Sequence, residues 1–146
     1  MDSDKNRKSK KIISAGGIIF WKNGNQTMVC IVKRKGRDIW IFPRGRIEQN
    51  ESMEHAVIRE VREETGIISK VIRKIGVVNY SYYSSHEKVF YDKEVHFYLL
   101  KISKNEKFIP NQEIQEMKWV TVEEAYNMLS YPEEKELLSK ALKYIL

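Results

Sequence analysis

The segment from Gly45 to Ile67 constrains the fold more than any other part of this chain. It sets a basic glycine loop, Pro43-Arg44-Gly45-Arg46, ahead of Ser52 and then runs through Arg59-Glu60-Val61-Arg62-Glu63-Glu64 to Gly66. Ser52 is a helix N-cap residue, Glu54 suits the first turn, and Gly66 suits the left-handed C′ position. The spacing therefore predicts a helix ending at about Thr65, with Val57 and Val61 at i, i+4 as its apolar face. Glu60, Glu63 and Glu64 stand at i, i+3 and i+4. Their side chains lie within about 60° of one another and span roughly 6 Å along the axis. Like charges so placed weaken a helix by a few tenths of a kcal/mol per pair, and a hard divalent cation with oxygen ligands removes that cost. Taken alone, the same residues also read as a solvated acidic face with an ordinary Arg59–Glu63 ion pair.

The flanking segments alternate strands and helices. Lys11 to Trp21 is β-rich, with Gly16-Gly17 marking a bulge or a close backbone approach. Asn23-Gly24-Asn25 is a turn signal, and Thr27 to Arg34 returns as a strand. Trp40 to Pro43 leads into the glycine loop; Val71 to Tyr83, Glu94 to Ile102 and Glu116 to Val120 read as further strands, with a long loop from Ser84 to Lys93. Thr121-x-x-Glu124 is a capping box, and Pro132 suits the first turn of a last helix whose stripe is Leu137, Leu138, Ala141, Leu142 and Ile145. Strands flanked by helices on two sides give an α/β fold, an α/β/α sandwich around a central mixed β-sheet. One domain over 11–146 is expected, preceded by a disordered basic leader over 1–10.

At 146 residues with 42% apolar side chains, the chain is long enough for one packed core. No apolar run reaches the roughly 18 residues of a membrane span, so no membrane partner is expected. Cys30 is the single cysteine and cannot form an internal disulfide. It reads as a buried strand residue in a reducing, cytoplasmic setting rather than as a nucleophile. The net charge of +6 points to an anionic partner. Nucleotides satisfy that; nucleic acid, through Lys5, Arg7, Lys8, Lys10 and Lys11, is the less favoured partner.

The pattern G-x5-E-x7-R-E-U-x-E-E-x-G-U, with U a bulky aliphatic residue, is met at every specified position by Gly45, Glu51, Arg59, Glu60, Val61, Glu63, Glu64, Gly66 and Ile67. This segment resembles the signature of the Nudix hydrolases, which cleave a nucleoside diphosphate linked to another moiety with Mg2+ or Mn2+. Ser14-Ala15-Gly16-Gly17-Ile18-Ile19-Phe20 upstream and Trp119-Val120 with Glu123-Glu124-Ala125 downstream extend the resemblance over most of the chain. It implies the same sandwich architecture. It also implies Mg2+, with Mn2+ as substitute, held by Glu60, Glu63 and Glu64 and by a loop carbonyl at Arg44 or Gly45. One of these glutamates, Glu64 or Glu60, or an acid from a later loop, would take the proton of the attacking water. Glu87, Asp92 and Glu94 are the candidate later acids. Glu51 and Arg59 would pair to lock the loop against the helix. Asn50 stands where relatives usually carry glycine, and asparagine tolerates a positive φ.

Trp40-Ile41-Phe42-Pro43-Arg44-Gly45 resembles the W-x-F-P-[KR]-G segment of bacterial diadenosine polyphosphate hydrolases within that family. The expected activity is therefore cleavage of dinucleoside polyphosphates such as diadenosine tetraphosphate. Nucleoside triphosphate pyrophosphatase activity on oxidised nucleotides, RNA 5′-end hydrolysis, and a regulatory module that binds a nucleotide uncut are the alternatives. Arg44 and Arg46 in the loop, with Lys88, Lys93 and His96, are the candidate phosphate contacts. Tyr80 and Tyr82 could stack on adenine, although alternating aromatics on a strand equally suit a core. A monomer or homodimer is expected.

Overall fold

A computed structural model describes residues 8–145. Strands β1 (Ser9–Asn23) and β2 (Gln26–Arg34) form a hairpin around Gly24 and Asn25. Two short strands, β3 (Trp40–Ile41) and β4 (Arg44–Arg46), lead to helix α1 (Met53–Thr65). Strands β5 (Ile67–Ser84), β6 (Val89–Asn105) and β7 (Ile114–Thr121) follow, then helices α2 (Val122–Met128) and α3 (Pro132–Leu142).

The sheet is mixed: β3-β2-β1-β6-β5 in order, with β4 added to β1 and β7 to β2. The β1–β6 pair is parallel, running from Ser9↔Phe90 to Phe20↔Lys101, and the other pairs are antiparallel. One face carries Ile18, Phe20, Val29, Ile31, Phe97 and Leu99 against Leu129, Leu137 and Leu138 of the α2–α3 end. The other carries Ala15, Ile19, Cys30, Tyr98 and Leu100 against Val57 and Val61 of α1. Alternation along the strands thus feeds two cores, one on each side, and the expected α/β/α sandwich is present.

Local signals behave as their chemistry requires. The Ser52 hydroxyl accepts the His55 amide at 3.1 Å, and Gly66 closes α1 at φ 79°. Both hydrogen bonds of the Thr121/Glu124 capping box form, at 3.1 and 3.0 Å, and Pro132 opens α3. Asn50 takes φ 65°. Gly17 is a close approach rather than a bulge: its register with β6 is unbroken, a Cβ there would lie 2.6 Å from Leu100 and 2.8 Å from Val61, and its amide reaches the Pro43 carbonyl at 2.9 Å.

Two segments differ from the sequence reading. Ser9 and Lys10 do not belong to a loose leader but pair with Phe90 and Tyr91; residues 1–7 lie outside the described residues. The long loop expected over 84–93 is a tight turn at residues 85–88, because Tyr82 and Tyr83 pair across to Tyr91 and Phe90. Cross-strand aromatic packing, with Tyr82 stacked on Tyr91 at 5.2 Å, outweighs the polar composition of that stretch. No helix among the described residues is long and apolar enough to cross a membrane.

Candidate active site

The β4–α1 junction is fastened by one arginine. Arg59 donates through Nε and a terminal nitrogen to both oxygens of Glu51, at 2.7 and 2.9 Å, and bonds the Arg46 carbonyl at 3.1 Å. A planar guanidinium suits this fork, and it fixes the loop to the helix. The same side chain reaches Glu60 at 2.7 Å and Glu63 at 3.2 Å. Its hydrogen bonds hold the Glu51 carboxyl down at about 2. Gly45 touches the cluster directly, since a Cβ at this position would fall 2.0 Å from Glu60 Oε2.

A second knot holds the other end of the loop. The Arg44 amide donates to Glu64 Oε1 at 3.0 Å. The Arg44 guanidinium turns into the core, where it binds Glu134 of α3, the Phe42 carbonyl at 3.1 Å and the Tyr80 hydroxyl at 3.4 Å. Glu134 is fully buried and also accepts the Phe42 amide at 2.9 Å. Burial works against the Arg44 charge, yet Glu134 keeps it firmly protonated. Tyr80 is raised to about 12, first by burial, and its ring packs against Tyr131 at 5.9 Å.

The carboxylates differ in environment. Burial pushes Glu64 up to about 8, against the pull of Arg34 and the Arg44 amide. Glu60 is raised too, by partial burial first, whereas the Glu63 side chain is 58% exposed. Lys93 is lowered to about 8 by burial and then by Arg44, Arg34 and Arg46.

Glu60, Glu63 and Glu64 line one cavity of about 680 Å3 together with Arg44, Gly45, Arg46 and Lys93. An adjoining cavity of about 750 Å3 is lined by Tyr80, Tyr82, Tyr131 and a basic rim of Arg34, Lys35 and Arg37. Arg34, Arg44, Lys93, Gln112 and Glu113 border both. Of the sequence-read residues, Lys88 and His96 line neither cavity. Lys88 sits in the hairpin turn, and His96 alternates to the α1 face, between Lys74 at 2.7 Å and Glu94 at 2.6 Å. Arg44 borders both cavities, but its charge is already matched by Glu134.

The later acids expected from the sequence also lie elsewhere. Glu87 binds the Tyr91 hydroxyl, Asp92 binds Ser81 at 2.9 Å, and Glu94 binds Lys11 at 3.3 Å. The acid that does reach the cavity is Glu113, from the segment before β7. Sequence reasoning missed it, along with Arg34 and Glu134. Asn111 was the available signal: its Oδ1 accepts the amides of Glu113 and Ile114, both at 2.9 Å, a side-chain turn that presents Glu113.

The donor set fits a hard divalent cation. Glu64 Oε2 is buried with no hydrogen-bond partner, and the nearby carboxylates and loop backbone offer only oxygen donors. Glu60 and Glu63 lean on Arg59, and no three His, Cys, Asp or Glu side chains among the described residues converge on one point. To hold such an ion, Glu60 and Glu63 would turn from Arg59 toward Glu64, while Arg59 keeps its bonds to Glu51 and the Arg46 carbonyl.

The NUDIX domain model matches residues 10–141, so this chain belongs to the Nudix family. It is 28% identical to an 8-oxo-(d)GTP phosphatase of Mycolicibacterium smegmatis over 98% of this chain and 45% of that protein. It is 36% identical to a putative mutator protein, MutT4, of Mycobacterium tuberculosis over 75% of this chain and 44% of that protein. The chain thus spans about half the length of these curated relatives. Among solved structures, a Caenorhabditis elegans Ap4A hydrolase in a binary complex superposes with TM-score 0.72 at 22% identity, covering 91% of this chain and 96% of that one. That likeness is one of fold.

Proposed function

We propose that this chain is a Mg2+- or Mn2+-dependent pyrophosphohydrolase that cleaves dinucleoside polyphosphates of the diadenosine tetraphosphate type. The observation that carries this reading is the pair of adjoining cavities, one holding the glutamate cluster and one basic and aromatic, sharing Arg34 and Lys93 at their border. A polyphosphate could cross that border while its base stacks on the half-exposed ring of Tyr82. Arg34 and Lys93 have no ion pair among the described residues, so they, rather than Arg44, supply the phosphate-neutralising charge.

A bound divalent cation would supply Lewis acidity and an acidified water, held by Glu60, Glu63, Glu64 and the Gly45 backbone. The protein residues then orient the chain and receive the proton of the attacking water, with Glu64, Glu60 or Glu113 as acceptor. Glu51 and Arg59 keep loop and helix in register. The lone, buried Cys30, whose thiol burial pushes up, is consistent with a reducing cytoplasm.

A second reading, pyrophosphohydrolysis of oxidised purine nucleoside triphosphates, is favoured by the similarity to the two mycobacterial relatives, the 8-oxo-(d)GTP phosphatase and the mutator protein. A panel of dinucleoside tetra- and hexaphosphates, 8-oxo-dGTP, ordinary triphosphates and 5′-triphosphate RNA, with product identification, separates the two. The expected result is the highest kcat/KM for dinucleosides with four or more phosphates, abolished by chelators. Equal or faster cleavage of 8-oxo-dGTP moves the assignment to nucleotide sanitation. Glu63→Gln and Glu64→Gln should each lower turnover at least about 10²-fold with the fold retained; near-normal rates in both would remove the metal role.

A further inference from the structure

Strand β1 carries one buried polar side chain that the fold leaves unsatisfied. Ser14 is fully buried, and its hydroxyl has no hydrogen-bond partner among the described residues. The next residue, Ala15, packs with Val57 and Val61 beneath α1. Alternation therefore turns Ser14 to the opposite side of the sheet, in phase with Ile18 and Phe20 and away from the helix that carries Glu60, Glu63 and Glu64. From that wall it still lines the first cavity. Buried hydroxyls are normally satisfied, so one left open toward a cavity asks for a ligand.

The surroundings of this hydroxyl are cationic. Ser14 pairs directly with Arg46 of β4, and residues so paired project to one face with Cβ atoms about 5 Å apart. On β6 it pairs with Val95, and Lys93 is the next side chain along that same face. Strand spacing and rise put the Lys93 Cβ about 8 Å away on the diagonal. Arg34 of β2 lines the same cavity. None of Arg34, Arg46 and Lys93 makes an ion pair among the described residues. Burial, and then Arg44, Arg34 and Arg46, lower Lys93 to about 8, a push that Glu64 only partly offsets. Like charges crowd here without a matching anion.

A water molecule would satisfy the hydroxyl and leave the charges unmatched. A phosphate group presents several acceptor oxygens at once, and hydrogen bonds to such an anion are among the strong ones. We propose that Ser14, Arg46 and Lys93 form an anion subsite that holds one phosphate of a polyphosphate chain by direct contact, without a metal ion. It rests on the reading of the site as a pyrophosphohydrolase and adds a specificity-determining contact to it. Because the Ser14 hydroxyl faces away from α1, a chain gripped at the carboxylates must extend past them to fill this subsite. Four phosphates therefore gain a contact that three lack.

Inorganic tripolyphosphate, titrated calorimetrically into the full chain at pH 7 with EDTA present, tests the subsite apart from both metal and turnover. The wild type should bind at one site. Ser14→Ala should weaken binding about 10-fold, the loss of one hydrogen bond to a charged acceptor, and Lys93→Met at least as much. Lys70→Met, which removes the same charge from an exposed position lining neither cavity, should change it less than about twofold. Since the hydroxyl is unmatched in the folded chain, Ser14→Ala should leave the melting temperature unchanged or raised. Metal-free crystals soaked in tripolyphosphate should show a phosphate oxygen about 2.7 Å from Ser14 Oγ. In turnover, Ser14→Ala should lower the ratio of kcat/KM for a dinucleoside tetraphosphate to that for a triphosphate about 10-fold. Metal-free wild type that binds no tripolyphosphate, equal affinity in Ser14→Ala, a melting temperature that falls along with affinity, or a water in place of the phosphate oxygen would overturn the proposal. If the wild type cleaves nothing in the panel, the functional reading fails, while the calorimetry still decides whether the subsite exists.

Discussion

Two glutamates thirteen residues apart in the same motif, Glu51 and Glu64, pull stability in opposite directions with pH. Glu51 is held at about 2 by Arg59, below its ordinary 4.5, so it stabilises the fold above about pH 4.5 and loses that contribution as pH falls through about 2. Glu64 is raised to about 8 by burial, so the folded chain keeps a proton that the unfolded chain releases near 4.5. Its contribution is complete below about 4.5 and disappears as pH rises through about 8. Without divalent cations, the melting temperature should therefore climb from pH 2 to 4.5 and decline from 4.5 to 8. Glu64→Gln should flatten the declining limb, and Mg2+ should raise the melting temperature most above pH 8, where it meets the carboxylate without displacing a proton. Scanning calorimetry across pH tests this; a limb unchanged in Glu64→Gln would assign the titration to another group.

Helix α3 governs the glycine loop although it belongs to the far end of the chain. Glu134 receives the Phe42 amide and the Arg44 guanidinium, while the neighbouring Ser130 hydroxyl accepts the Trp40 amide at 3.0 Å. These bonds align the loop whose next amide grips Glu64. Removing one partner of a buried ion pair strands the other, at a cost of about 3–5 kcal/mol, whereas replacing both with apolar groups of similar volume is often neutral. Glu134→Ala should thus lose about 3–5 kcal/mol in chemical denaturation, and Arg44→Met with Glu134→Leu should recover most of it. Failure of the double variant to recover would mean that the Phe42 amide bond, not the charge pair, carries the loss.

Charge acts over the whole molecule. The net charge of +6 and the basic border of Arg34, Lys35, Arg37 and Lys93 attract a polyanion before any close contact forms. Exposed charges are screened beyond about 10 Å at 0.1 M salt. Raising salt from about 0.05 to 0.5 M should increase KM for a dinucleoside tetraphosphate several-fold and change kcat by less than about twofold. A salt-independent KM would place recognition in the aromatic cavity instead.

Local chemistry was legible in the chain because it depends on near neighbours. The α1 helix with its Ser52 and Gly66 ends, the 23-residue motif, the Thr121 capping box, and the hairpin at Gly24 all follow from spacing and side-chain type. Which charges face each other is a matter of distant strands and helices meeting, and spacing carries no such information. That is why the Arg44 guanidinium, offered to substrate from its position in the loop, is claimed by Glu134 ninety residues away. It is also why Glu113 and Ser14, unremarkable in sequence, line the cavity of the carboxylates, while His96, whose side chain leaves β6 on the other face from Lys93, lines neither cavity.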